Sequence, residues 1–255
     1  MGTAALPETC CRTATLWLGT GYAAFLGASL RLDAHSGSVQ CLAVGLDAPF
    51  TLRTAELGER TVRSALIPPR RVHRVLAHGD RMLFCYFDPG SPRARGTLAR
   101  MASIEHGIGF AHVAESDLIA MAESADPDPL QILDCAGGRV SAPIDARIVE
   151  AIATLRANPS STVDATELAA AVHLSTSRFL HLFSAHAGTS FRRYRLWVRM
   201  VHVGAAVSKG RDLTTASADA GFASPSHFSD AFHTMCGLTA TDLLASGARI
   251  VLLDS

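Results

Sequence analysis

The sequence predicts an α+β chain. It has a small amino-terminal β-barrel, a helical connector, and an all-α carboxyl-terminal domain in which one long helix joins two helix-turn-helix units. Three observations carry this prediction. Short apolar runs punctuated by Gly and Pro fill residues 24–87, the texture of a small all-β unit. Helical spacing of apolar residues takes over after Asp88. Two segments, Glu167–Gly188 and Thr214–Gly237, each read as a short helix, a tight turn and a second helix, about 50 residues apart.

The 255 residues suffice for two ordinary domains, and 48% hydrophobic content supports a substantial core. The boundaries fall at 1–97, 98–158 and 159–255. Formal net charge is zero, which argues against a protein that grips polyanions without discrimination. The distribution says more than the sum. Arg192, Arg193, Arg195 and Arg199 fall close together, with Arg178 just upstream, a basic patch on a nearly neutral domain. Six cysteines (Cys10, Cys11, Cys41, Cys85, Cys135 and Cys236) read as free thiols of a cytoplasmic protein. Residues 1–20 lack a basic start followed by a long apolar core, and no apolar run approaches the ~20 residues of a membrane helix.

Within the β region, GSVQCLAVGL (37–46) and TVRSALIPP (61–69) read as strands. HRVLA (73–77) and RMLFCYFD (81–88) read as a hairpin turning at His78-Gly79-Asp80. PGSPRARG is a loop. Residues 98–121 carry helical spacing interrupted by Gly107 and Gly109, and Asp126–Pro129 is a break. PIDARIVEAIATLRANP (143–159) is a strong helix, with Pro143 near its start and Ile144, Ile148, Ile152 and Leu155 as its apolar stripe.

In the first helix-turn-helix unit, Asp164 and Glu167 have the spacing of a capping box, and Ser175 caps the second helix. Phe179, Leu182 and Phe183 recur at helical spacing and face inward. Ser177, Leu180 and His181 are left to reach base edges in a major groove, and Arg178 to reach phosphate. A solvated surface histidine is the plainer reading of His181. The joining helix is heavily apolar, through Phe191, Tyr194, Leu196, Trp197, Met200, Val201 and Val203, and would hold the spacing of the two units rigid. Its arginines cannot all face one way, so some touch phosphate and others are structural, with Arg199 in a half-buried salt bridge. In the second unit Thr214 or Thr215 caps the first helix and Gly221 is a left-handed C-cap. Ser224 caps the second helix and Pro225 takes its first position, where a missing N–H costs nothing. Ser226, His227, Ser229 and Asp230 face outward. A carboxylate at 230 is repelled by phosphate but can accept a hydrogen bond from cytosine N4.

Residues 160–244 closely resemble the DNA-binding domain of the AraC/XylS family of transcriptional regulators. The resemblance rests on LAAAVHLSTSRFLHLFSAHAG, RRYRLWVRM and ADAGFASPSHFSDAFHTMCGLTATDL. It implies that Ser177, Leu180, His181, Pro225, Ser226, Ser229 and Asp230 read bases, while Ser175, Arg178, Arg192, Arg193, Ser224 and His227 contact the DNA backbone. Relatives often carry a longer polar or basic residue at 230 and proline at 240, where this chain has Asp230 and Ala240. The segments APFTLRT and SALIPPRRVHRVLAHGDRMLFCYFDPGS resemble the cupin-like barrel upstream of some members. The resemblance implies double-stranded DNA as partner, a homodimer, a small-molecule effector, RNA polymerase as a further partner, and no cofactor.

Phe25, Phe50, His73, Phe84 and Tyr86 are the candidate lining of an effector pocket; the competing reading is that they fill the barrel. Cys41, His73, His78 and Cys85 are a weak metal set, lacking the H-x-H or C-x-x-C spacing of a dedicated site. No nucleophile, base and orienter emerge, so an enzyme is not expected. Two readings of the amino-terminal half stay open: an effector sensor, or a module that only dimerises or binds a protein partner.

Overall fold

The computed structural model describes residues 13–138, 144–161 and 163–253. Cys10, Cys11 and Pro143, named above, lie outside these. The chain opens with β1 (Thr15–Gly19), β2 (Tyr22–Ala28), β3 (Gln40–Gly45), β4 (Phe50–Thr54), β5 (Gly58–Val62), β6 (Ser64–Ile67), β7 (Arg74–Ala77) and β8 (Arg81–Phe87). Then come α1 (Pro92–Ala99), β9 (Met101–Glu105), β10 (Ile108–His112), α2 (Glu115–Glu123) and α3 (Pro129–Gly137). Seven helices follow: α4 (Ala146–Ala157), α5 (Ala165–Ala171), α6 (Thr176–Ala187), α7 (Phe191–Ser208), α8 (Leu213–Asp219), α9 (Pro225–Cys236) and α10 (Ala240–Ala245). The last element is β11 (Arg249–Leu252).

The amino-terminal half is not a closed barrel. Eight strands form an open mixed sheet in the order β11-β1-β2-β8-β3-β6-β10-β9, and a separate three-stranded sheet runs β5-β4-β7. Closure needs the two end strands to pair. Among the described residues β9 and β11 are the two ends of the sheet and do not pair with each other, and β11 pairs in parallel with β1. The cupin-like barrel expected from the sequence is therefore replaced by a sheet covered on both faces. The central strands show why. In β2 six of seven residues are buried, so neither face meets water.

The pleat sorts those side chains between two layers. Tyr22, Ala24 and Leu26 of β2, with Leu83, Cys85 and Phe87 of β8, pack under Leu118, Ala122, Ile132 and Leu133 of α2 and α3. Phe25 and Phe84, on the opposite face, meet Phe50, Leu52 and Val75 of the small sheet. Further along that face, Leu18 and Ala23 join the core of the carboxyl-terminal helices.

Two local expectations are corrected. β7 and β8 are not a hairpin: β7 pairs with β4 and β8 with β2 and β3, so the bend at His78–Asp80 carries the chain between sheets. Helical spacing over 98–121 is broken by the β9–β10 hairpin. His106 (φ 49°) and Gly107 (φ 80°) are both left-handed there, the conformation a tight two-residue hairpin turn needs. Helix α4 begins at Asp145, whose carboxylate accepts from the Arg147 N–H, and it buries Ile148, Ile152 and Leu155. Ile144 packs on the same core from outside the helix.

One buried carboxylate ties the halves together. Asp88, at the end of β8, is 1% exposed. It pairs with Arg156 of α4 at 2.6 Å and accepts hydrogen bonds from the Tyr194 hydroxyl at 2.7 Å and the Trp197 indole at 3.3 Å, both on α7. The Gly90 N–H adds a fourth contact at 2.9 Å. The Asp88 charge holds Arg156 above its ordinary value against the opposing effect of burial. Burial, then the same carboxylate, push the Tyr194 hydroxyl well up.

Candidate nucleic-acid interface

The first unit comprises α5 and α6. Asp164 accepts from the Thr166 and Glu167 N–H groups while the Glu167 side chain accepts from the Asp164 N–H, the reciprocal capping box. The chain reverses at His173 (φ 57°), and Ser175 caps α6 by accepting from the Arg178 N–H. Leu168, Ala169, Val172, Phe179 and Phe183 are buried. The Phe179 and Phe183 rings meet Phe191 of α7 at 5.7 and 5.6 Å, edge to face. With this face committed to the core, α6 presents Ser177, Arg178, Leu180 and His181 to solvent.

The second unit comprises α8 and α9. Its first cap is Asp212, accepting from the Thr215 N–H at 2.9 Å, and not Thr214 or Thr215. Asp accepts more strongly than a hydroxyl and favours the positive end of the helix. Gly221 (φ 83°) ends α8. Ser224 accepts from the His227 N–H and Pro225 occupies the first turn of α9. Phe228 and Met235 are buried, with Phe222 against Phe228 at 5.3 Å. Pro225, Ser226, Ser229 and Asp230 are exposed. His227 is exposed too, but its Nδ1 accepts from the Ala223 N–H at 3.4 Å and its ring packs on Phe222. It braces the turn.

Four arginines lie along α7. Arg192 is exposed. Arg193 donates to the carbonyl and hydroxyl of Ser36, at 2.8 and 2.7 Å. Burial, then the nearby Arg70 charge, lower it from the usual guanidinium value. Arg195 donates to the Ser161 carbonyl at 2.8 Å. Arg199 donates to the Pro159 carbonyl at 3.2 Å and lies over the Phe222 ring, so the expected salt bridge is a hydrogen bond with a cation–π contact. The phosphate candidate Arg193 thus engages the amino-terminal half.

The same upstream loop grips the second unit. The Asp33 N–H donates to the Gly237 carbonyl at 2.8 Å and the Ser36 N–H to the Thr234 carbonyl at 3.0 Å, while Asp33 and His233 approach to 3.3 Å. Gly237 has φ 76°, and a Cβ there would sit 2.6 Å from His35 Nδ1. Only glycine suits both the turn and this close approach.

Between the open sheet and α7, α9 and α10 lies a cavity of about 130 Å³. Phe25, Phe84 and Tyr86 line it, joined by Trp197, Met200 and Val203 of α7. Phe50 is fully buried between the two sheets and does not reach it. His73 stands by a smaller neighbouring space, its ring 4.3 Å from that of His35. Burial, then the charge of His35, press His73 down to about 4. The α7 residues were missed as lining because their helical spacing marks them equally well as core.

The weak metal set does not converge. Leu42 pairs with Cys85 across β3 and β8, so neighbouring Cys41 points to the opposite face. His73 Nδ1 lies 2.8 Å from the Arg71 carbonyl and His78 Nε2 2.7 Å from the Thr51 hydroxyl. Among the described residues no group of three His, Cys, Asp or Glu is arranged to hold a metal. Among them, too, no helix is long and apolar enough to cross a membrane.

Residues 168–246 match the family model described as "Helix-turn-helix domain". The matched segment spans both helix pairs, α5–α6 and α8–α9, with α7 between them. Solved structures extend the likeness through most of the chain. The ToxT K231A protein of Vibrio cholerae strain SCE256 superposes with a TM-score of 0.61 at 9% identity, covering 89% of this chain and 97% of that one. ToxT of Vibrio cholerae O395 bound to (E)-4-(8-methylnaphthalen-1-yl)but-3-enoic acid gives 0.57 at 9% identity over 89% and 99%. Wild-type ToxT with bound unsaturated fatty acid gives 0.56 at 9% identity over 89% and 96%. At such identity these matches establish a shared fold. A comparison with curated protein sequences finds no match.

Proposed function

We propose that this protein is a sequence-specific, DNA-binding transcriptional regulator that carries its sensor on the same chain. The observation that carries the reading is the pair of capped helices, α6 and α9, whose outer faces are exposed and whose inner faces are buried in one core with the continuous helix α7. Ser177, Leu180 and His181 on α6, and Pro225, Ser226, Ser229 and Asp230 on α9, then meet base edges. Arg178 and Arg192, with the cap hydroxyls of Ser175 and Ser224, meet phosphates. In this reading 159–255 is the DNA-reading domain, 1–97 senses and dimerises, and 98–158 connects them. The active form is a homodimer that also contacts RNA polymerase. A small molecule in the cavity beneath α7 sets the geometry of the readers, since α7 and α9 form part of its wall. The acids held by the two ToxT structures make such an effector the natural expectation.

Selection of bound sequences from randomised duplex DNA with the full-length protein tests this. Recovery of two short blocks about one helical turn apart is expected. Enrichment of no sequence, with and without ligand, refutes it.

A further inference from the structure

We infer that the cavity beneath α7 takes a small uncharged molecule, about the size of one six-membered ring, bearing a single hydrogen-bonding group that meets Ser38. The inference rests on the effector reading above and names its ligand class.

The first observation is charge. Among the described residues lining the cavity there is no Arg, Lys, His, Asp or Glu; the walls are mostly Leu, Val, Phe, Met and Trp, with Ser38, Tyr86 and Cys236 as the side chains that carry a hydroxyl or thiol. A carboxylate placed there would lose its water and gain no counter-ion. The second is size. About 130 Å³ is close to the volume of an apolar protein cavity that holds benzene, and well short of a long acyl chain. The third is an orphan polar atom. Ser38 is 1% exposed, lines this cavity, and its hydroxyl oxygen has no hydrogen-bond partner. A buried hydroxyl left unpaired is costly, and a ligand hydroxyl or carbonyl satisfies it. Ser38 also lies two residues from Ser36, which Arg193 holds. A ligand bonded to Ser38 therefore touches the loop that fastens the second reader. By this logic the chain departs from the acid-binding ToxT proteins in what it accepts.

The test uses full-length protein and three probes of one shape: benzyl alcohol, toluene and benzoate, the last at a pH where it is ionised. Titration calorimetry should show benzyl alcohol binding about tenfold more tightly than toluene, and benzoate more than about a hundredfold more weakly than benzyl alcohol. Ser38→Ala should erase the advantage of benzyl alcohol while leaving toluene unchanged. Val207→Phe, which fills the cavity, should abolish binding of all three, and a native-like circular dichroism spectrum confirms that it folds. Benzoate binding as tightly as benzyl alcohol overturns the inference. So does an advantage that survives Ser38→Ala, or an absence of benzyl alcohol binding. The same titrations on a selected operator separate the two readings: ligand binding without a change in DNA affinity upholds the ligand class and sinks the effector role.

Discussion

Replacing Asp88 by Asn should cost about 3 kcal/mol of stability. The substitution keeps the shape of the side chain and removes its charge. Arg156 then remains with 26% of its side chain exposed and no counter-ion within the network. The Asn amide also turns a donor toward either Arg156 or the Tyr194 and Trp197 donors that Asp88 accepts from. Breaking a buried ion pair by removing one partner costs about 3–5 kcal/mol, and partial exposure of Arg156 places this case at the lower end. Urea unfolding at neutral pH measures it as a fall in midpoint at constant slope. A double-mutant cycle with Arg156→Met isolates the pair: the double variant should be more stable than the sum of the single losses predicts. A loss below about 1 kcal/mol for Asp88→Asn, or strict additivity in the cycle, would refute the view that this carboxylate latches β8 to α4 and α7.

Three further outcomes are expected. His181→Ala should weaken binding to the selected operator by about 1–3 kcal/mol at one base pair and leave random DNA unaffected; an equal loss on both, measured by fluorescence anisotropy, removes its base-reading role. Arg192→Ala should lower the salt slope of DNA binding by about one, whereas Arg193→Ala should leave the slope alone, because that guanidinium is held by Ser36. The folded-state pKa of His73, about 4, lies below its unfolded value of 6.5. The unfolded chain therefore binds the proton first: stability is fully present above 6.5, falls between 6.5 and about 4, and is lost by about 3 kcal/mol below that. His73→Asn should flatten that part of the pH–stability curve, and an unchanged curve would show that other groups govern it.

Both helix-turn-helix units were legible because their signals are local. Asp164 and Glu167, Ser175, Ser224 before Pro225, and Gly221 mark helix ends within a few residues of where they act. The phenylalanines at 179, 183 and 228 assign an inward face by period alone. The hairpin over 101–112 was obscured because Met101, Ile104 and Ile108 also fit helical spacing; the informative pair was His106-Gly107, a turn signal rather than an interruption. The barrel expectation failed for a different reason. Strand patterns reveal which residues are buried but not whether the opposite wall is another strand or a helix, and α2, α3 and α7 supply the walls here. The role of Arg193 had no local signal, since its partner Ser36 lies 157 residues upstream. The α7 wall of the cavity escaped the sequence for the same reason, since it faces residues of the other half of the chain.

The pairing of β11 with β1 has a consequence for synthesis. Thr15–Leu18 find their parallel partners only at Arg249–Leu252. On the ribosome, the outer edge of β1 stays unpaired while some 230 intervening residues are made, and an unpaired edge invites other strands. Ribosomal pausing late in the message should then favour aggregation of nascent chains. A fragment confined to residues 159–255 would carry the opposite defect, a closing strand with no sheet to join.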